Sequence, residues 1–77
     1  MDIDEFINNK LQHYGKAIRD TDGDAEDHAL GEVIFYAALR RLRAGRATKQ
    51  DLGLIDAVND TLQELGILDS SQTFYKF

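Results

Sequence analysis

The run RDTDGDAEDHALGE, residues 19–32, gathers the side chains best able to do chemistry: carboxylates at Asp20, Asp22, Asp24, Glu26, Asp27 and Glu32, and an imidazole at His28. Closely spaced acids ahead of a helical pattern raise the question of a calcium loop. A loop of the EF-hand type needs oxygen ligands at its first, third, fifth and twelfth positions, and a glycine at the sixth where the chain turns sharply. Counted from Asp20 the first three ligands are present, but the sixth position is Ala25 and the twelfth is Gly31. Counted from Asp22, the sixth is Asp27 and the twelfth Val33. Neither register closes the coordination shell. The same acids suit a helix start, with Asp22 or Asp24 as N-cap and Asp24, Glu26 and Asp27 loading the positive end of the dipole. The expectation is a capped turn, with no metal and no other cofactor.

His28 and Glu32 stand four apart and can share a helix face, as ligand pairs do in helical metal sites. Two ligands are not a site, so a metal-dependent helical enzyme would have to complete the set from elsewhere, with Asp56 and Asp60 as donors. The run DLGLIDAVND, which holds both, invites comparison with helical pyrophosphatases, which bind magnesium through paired acidic motifs. It lacks their two closely spaced acid pairs, and no family is recognised in it. Nucleophilic catalysis has no support, since the chain has no cysteine and no Gly-x-Ser-x-Gly. The expectation is a protein that is not an enzyme.

A second concentration is RRLRAGR, with Arg40, Arg41, Arg43 and Arg46. Read structurally, these cations complement the carbonyl end of a helix and pair with Asp51, Asp56 or Glu32. Read functionally, Arg40, Arg43 and Arg46 form a docking patch, because arginine's planar fork suits carboxylate and phosphate alike. Arg40 and Arg43 are three apart and share a face.

Three helical patterns must position these groups. Ile3, Phe6, Ile7, Leu11, Tyr14 and Ile18 recur at three- and four-residue steps, after an Asp2–Glu5 pair at capping-box spacing. In the second pattern Leu30, Val33, Ile34, Ala37 and Leu42 form a stripe that Phe35, Ala38 and Leu39 widen nearly around the helix; Gly45 terminates it. Such a helix needs neighbours on most sides, which makes it the central element. Its outer stripe of Phe35, Leu39 and Leu42 is expected to be partly exposed and to pair with a second copy. The third pattern has Thr48 as N-cap and Asp51 at the third helical position, followed by Leu54, Ile55, Val58, Leu62 and Leu65. Gly66 ends it, with Ile67 folding back toward Leu62. Each helix has an interior glycine (Gly15, Gly31, Gly53), either drift on an exposed face or room for a close helix crossing. Phe74, Tyr75 and Phe77 are too apolar for a simple loose end and are expected to dock.

Charge is segregated. Residues 1–35 hold nine acids and three bases, residues 36–50 five bases and no acid, and residues 51–77 five acids and one base, for a net charge of −5. Generic duplex-DNA binding is disfavoured by that balance. With no basic leader pattern, no long apolar run and no cysteine, a cytoplasmic protein away from the membrane is expected. These features predict an all-α domain of three helices over about 3–19, 24–44 and 49–65, with 1–77 as a single unit and a short aromatic C-terminal extension. The expected function is a noncatalytic protein–protein interaction or regulatory module, homodimeric, acting on another macromolecule. The alternatives are an acidic decoy that mimics nucleic-acid phosphates through segment 20–27, and the metal-dependent enzyme built on His28, Glu32, Asp56 and Asp60.

Overall fold

A computed structural model of the chain describes residues 2–20 and 23–75, the side chains of 19 and 20 excepted. Its regular secondary structure among those residues is helical throughout: α1 (Ile3–Asp20), α2 (Gly23–Arg43) and α3 (Lys49–Glu64). The all-α, three-helix reading of the sequence is therefore what the chain adopts, with boundaries within a residue of those expected. α2 is the central element and packs against both α1 and α3, whereas no Cα of α1 comes within 8 Å of one in α3.

Local chemistry sets the ends of the helices. Asp2 caps α1, its Oδ1 accepting from the N–H of Asp4 at 3.2 Å rather than from that of Glu5. Gly23 has a φ of 62° at the start of α2, a left-handed backbone that costs a glycine little. Asp24 and Glu26 lie in the first turn of α2, inside the helix, where they face the positive end of the dipole. Asp24 is thus a first-turn acid and not a cap, and Asp22 lies outside the described residues. α2 closes with the Arg46 N–H donating to the Arg41 carbonyl at 2.8 Å and the Gly45 N–H to that of Leu42 at 3.1 Å. α3 closes in the same way, with Ile67 donating to Leu62 and Gly66 to Gln63, each at 3.0 Å. This is the paired hydrogen-bond pattern of a Schellman motif, expected at Gly66 and present at both glycines. The Thr48–Asp51 capping box of α3 is complete: Thr48 Oγ1 accepts from the Asp51 N–H at 3.1 Å, and Asp51 Oδ2 from the Thr48 N–H at 3.0 Å.

The core cluster is small: Ile7 from α1, Ala38 and Leu39 from α2 and Ile55 from α3, with partly buried Phe6, Leu11, Phe35, Tyr36, Leu42 and Phe74 packed around it. Full burial of an isoleucine or leucine side chain contributes roughly 1.5–3 kcal/mol, so this cluster alone supplies a modest driving force. The chain after α3 adds to it. Phe74 stacks on Phe35 with ring centroids 6.3 Å apart, and its N–H donates to Oδ1 of buried Asn59 at 2.8 Å. Gln63 Nε2 donates to the Gln72 carbonyl at 2.8 Å, a second tie between α3 and the segment that follows it. Phe74 and Tyr75 therefore dock, while Phe77 lies outside the described residues.

The interior glycines make no close crossing within the chain. A methyl group built on Gly15, Gly31 or Gly53 would meet nothing within 4 Å.

Candidate functional site

The arginine cluster divides. Arg41 and Arg43 are two apart, so about 200° of helix rotation separates them and they point to opposite neighbours. Arg41 reaches α3: its Nε and Nη2 donate to Asp51 Oδ2 and Oδ1 at 2.6 and 2.7 Å. Arg43 reaches α1: its Nε and Nη2 donate to Asp4 Oδ1 and Oδ2 at 2.8 and 3.2 Å. Both are forked pairs, and both carboxylates sit in the first turn of their helix. Hydrogen bonds from Arg41, then from the Thr48 backbone, hold the Asp51 carboxyl well below the usual carboxylate range. The hydrogen bond from Arg43 likewise lowers Asp4.

Of the arginines expected to form a docking patch, Arg40 and Arg43 do share a face. With Asp4, Ile7 and Asn8 they line a hollow of about 210 Å³ between α1 and α2. Arg46 is exposed beyond the Gly45 turn and does not line that hollow. Arg43 acts at least partly as a clasp on α1.

Of the expected outer stripe, Phe35 and Leu42 are partly exposed as expected, and Leu39 is corrected. Leu39 is only 4% exposed and belongs to the core, with Phe35 and Leu42 packed against it. Its cause is that α1 and α3 approach α2 from the side where these residues lie, so the widest part of the apolar arc turns inward. The apolar residues left in water are Leu30 at 47% and Ile34 at 54% on α2, with Leu52, Leu65 and Ile67 from α3 and its end. Ile34 and Ala38 face Leu54 across a groove of about 400 Å³, and Leu54 continues into a second, shallow hollow with Ala57, Val58 and Leu62. An apolar surface thus runs along one side of α2 and α3. Helix-wheel arithmetic carried a signal for it. Asp27 and Arg41 fall in the same arc as Leu30 and Ile34, which marks a face that meets water.

The acidic and histidine groups do not assemble. His28 is exposed and its ring centroid lies 5.9 Å from that of Tyr14. Glu32 is engaged with α1: burial, then a hydrogen bond to Glu32, pushes the Tyr14 hydroxyl above its usual range. Asp56 and Asp60 are exposed on α3. Among the described residues no three histidine or carboxylate side chains are grouped as a metal site would need. The combination of His28, Glu32, Asp56 and Asp60 is therefore not formed, because Glu32 faces α1 while the two aspartates ride on the other flank. Among the described residues no helix is long and apolar enough to cross a membrane. No family model, curated protein or solved structure matches the chain.

Proposed function

We propose that the chain is a noncatalytic helical interaction module, homo-oligomeric, that acts by binding another macromolecule through the apolar side of α2 and α3. The observation that carries this reading is the contrast between a small buried cluster and two half-exposed aliphatic side chains of α2, Leu30 and Ile34, the second of which lines a groove. Contiguous apolar surface rimmed by polar residues marks interaction sites more often than isolated exposed residues do. The rim here is Arg41, Thr48 and Gln50.

The test is affinity capture from the native host with two variants. Leu30→Gln with Ile34→Gln leaves helicity intact, because both side chains are already half in water, and removes specific partners. Asp24→Asn with Asp27→Asn retains them. The opposite result favours an acidic decoy, a reading that gains from the structure in one respect: Arg41 and Arg43 are each paired with an aspartate of a neighbouring helix, while Asp24 and Asp27 of early α2 are exposed. Partner sets unchanged in both variants would sink both readings.

A further inference from the structure

The outward stripe of α2 is complementary to itself when reversed. At about 100° per residue, Leu30, Arg41, Ile34 and Asp27 fall within roughly 60° of arc. All four are exposed. Asp27 and Arg41 lie seven residues either side of Ile34, roughly 10 Å along the axis in each direction at 1.5 Å per residue. A second α2 laid antiparallel with its Ile34 on a twofold axis sets each residue opposite the one whose number completes a fixed sum. Asp27 then meets Arg41 of the partner subunit.

The charges choose this direction. The first turn of α2 carries Asp24 and Glu26 and its last turn Arg40, Arg41 and Arg43. Parallel copies would align like with like, whereas antiparallel copies align acid with base. Asp51 takes only the Nε–H and one Nη2–H of Arg41, and a guanidinium has five N–H groups. The Arg41 side chain is 44% exposed, so donors remain for a second carboxylate.

We infer that the open face of α2 docks a second copy of this chain, antiparallel about Ile34, with Asp27 and Arg41 pairing across the seam. This rests on the proposed interaction face and names its occupant. The groove beside Leu54 seats the flank of the partner's α2, which gives a four-helix seam made of two helices from each copy.

The chain has no cysteine, so a single introduced thiol reports on register without background. Helices packed at 8–10 Å with Cα radii of 2.3 Å leave about 3–5 Å between facing Cα atoms on the twofold, close enough for a disulfide. Ile34→Cys therefore cross-links to itself on mild oxidation. Leu30→Cys does not, because the two thiols lie eight residues apart, roughly 12 Å along the helix. Light scattering of the unaltered chain shows a dimer that dissociates on dilution, and Ile34→Glu, which sets two like charges face to face, weakens it at least 100-fold with helicity retained. A monomer up to millimolar concentration overturns the inference. So does self-cross-linking of both cysteine variants, which means a parallel seam, or of neither in a dimer, which means another face. A monomer that still loses its partners through Leu30→Gln and Ile34→Gln leaves the interaction reading standing and removes only the self-docking.

Discussion

Replacing Phe74 with alanine should destabilise the chain by about 2–4 kcal/mol, because Phe74 fastens the segment after α3 to the core. The magnitude has two parts. Truncating a fully buried phenylalanine costs about 3–5 kcal/mol, and Phe74 is partly buried, which leaves roughly half. Loss of its stacked contact with Phe35 adds roughly 0.5–1.5 kcal/mol beyond area. For a chain of this size each kcal/mol moves the melting temperature by about 4–8 °C, so the expected drop is about 8–32 °C. Urea and thermal unfolding followed by circular dichroism measure it. The mechanism is checked by Asn59→Ala, which leaves the Phe74 N–H without its acceptor at a cost of about 1–3 kcal/mol if that amide stays buried. In the Phe74→Ala background the segment is already loose and the same change should cost far less, a coupling of about 0.5 kcal/mol or more. A Phe74→Ala loss under 0.5 kcal/mol, or strictly additive costs, would refute the docking of this segment.

Three further outcomes follow from local geometry. Thr48→Ala removes one half of the α3 capping box and should cost about 0.5–2 kcal/mol in chemical unfolding; no measurable loss would mean the cap does not form. Gly53→Ala should stabilise by about 0.5–1 kcal/mol, since the added methyl meets nothing within 4 Å, and a loss instead would reveal a contact at that face. Asp51 has its folded pKa lowered by Arg41 and Thr48, so its contribution is complete above the unfolded value of about 3.9 and drains away as pH falls below it. Melting temperature should therefore decline from about pH 5 toward pH 2, and Asp51→Asn should flatten that decline; an equally steep profile in the variant would count against the clasp.

What the sequence made legible was the short-range part. The Thr48–Asp51 box and the Gly45 and Gly66 terminators depend on residues three to five apart, and each formed at its expected place. The helices themselves follow from three- and four-residue apolar spacing. What could not be read was which side of α2 each neighbour would take. Its apolar residues cover most of the circumference, so periodicity alone gives no inside and does not separate Leu39, which belongs to the core, from Phe35 and Leu42, which are only partly buried. The Arg43–Asp4 clasp joins residues 39 apart and left no local signal. Arg41–Asp51 was legible as one of several pairings, because a ten-residue separation across a tight turn brings the end of one helix to the start of the next. Phe74 and Tyr75 could be seen to need a dock from their composition, but not that Asn59 would hold the backbone.

The acidic–basic–acidic order of the chain has a single geometric explanation. α1 and α3 both run antiparallel to α2, so both of their N-terminal turns arrive beside its last turn. Each brings an aspartate, Asp4 or Asp51, to a helix end where the backbone dipole already favours negative charge, and α2 meets each with an arginine at the end that favours positive charge. The exposed Asp4–Arg43 pair adds little to stability and chiefly fixes the register of α1 on α2. Around Asp51 the carboxylate is buried and accepts from three donors, so the same device there is an anchor. At its other end the first turn of α2 carries Asp24 and Glu26, so the helix has opposite charges at its two ends, with the half-exposed aliphatic side chains of Leu30 and Ile34 between them. The element that clasps its own neighbours by antiparallel charge carries the same charge order along its solvent face, and the proposed antiparallel docking of a second copy rests on that order.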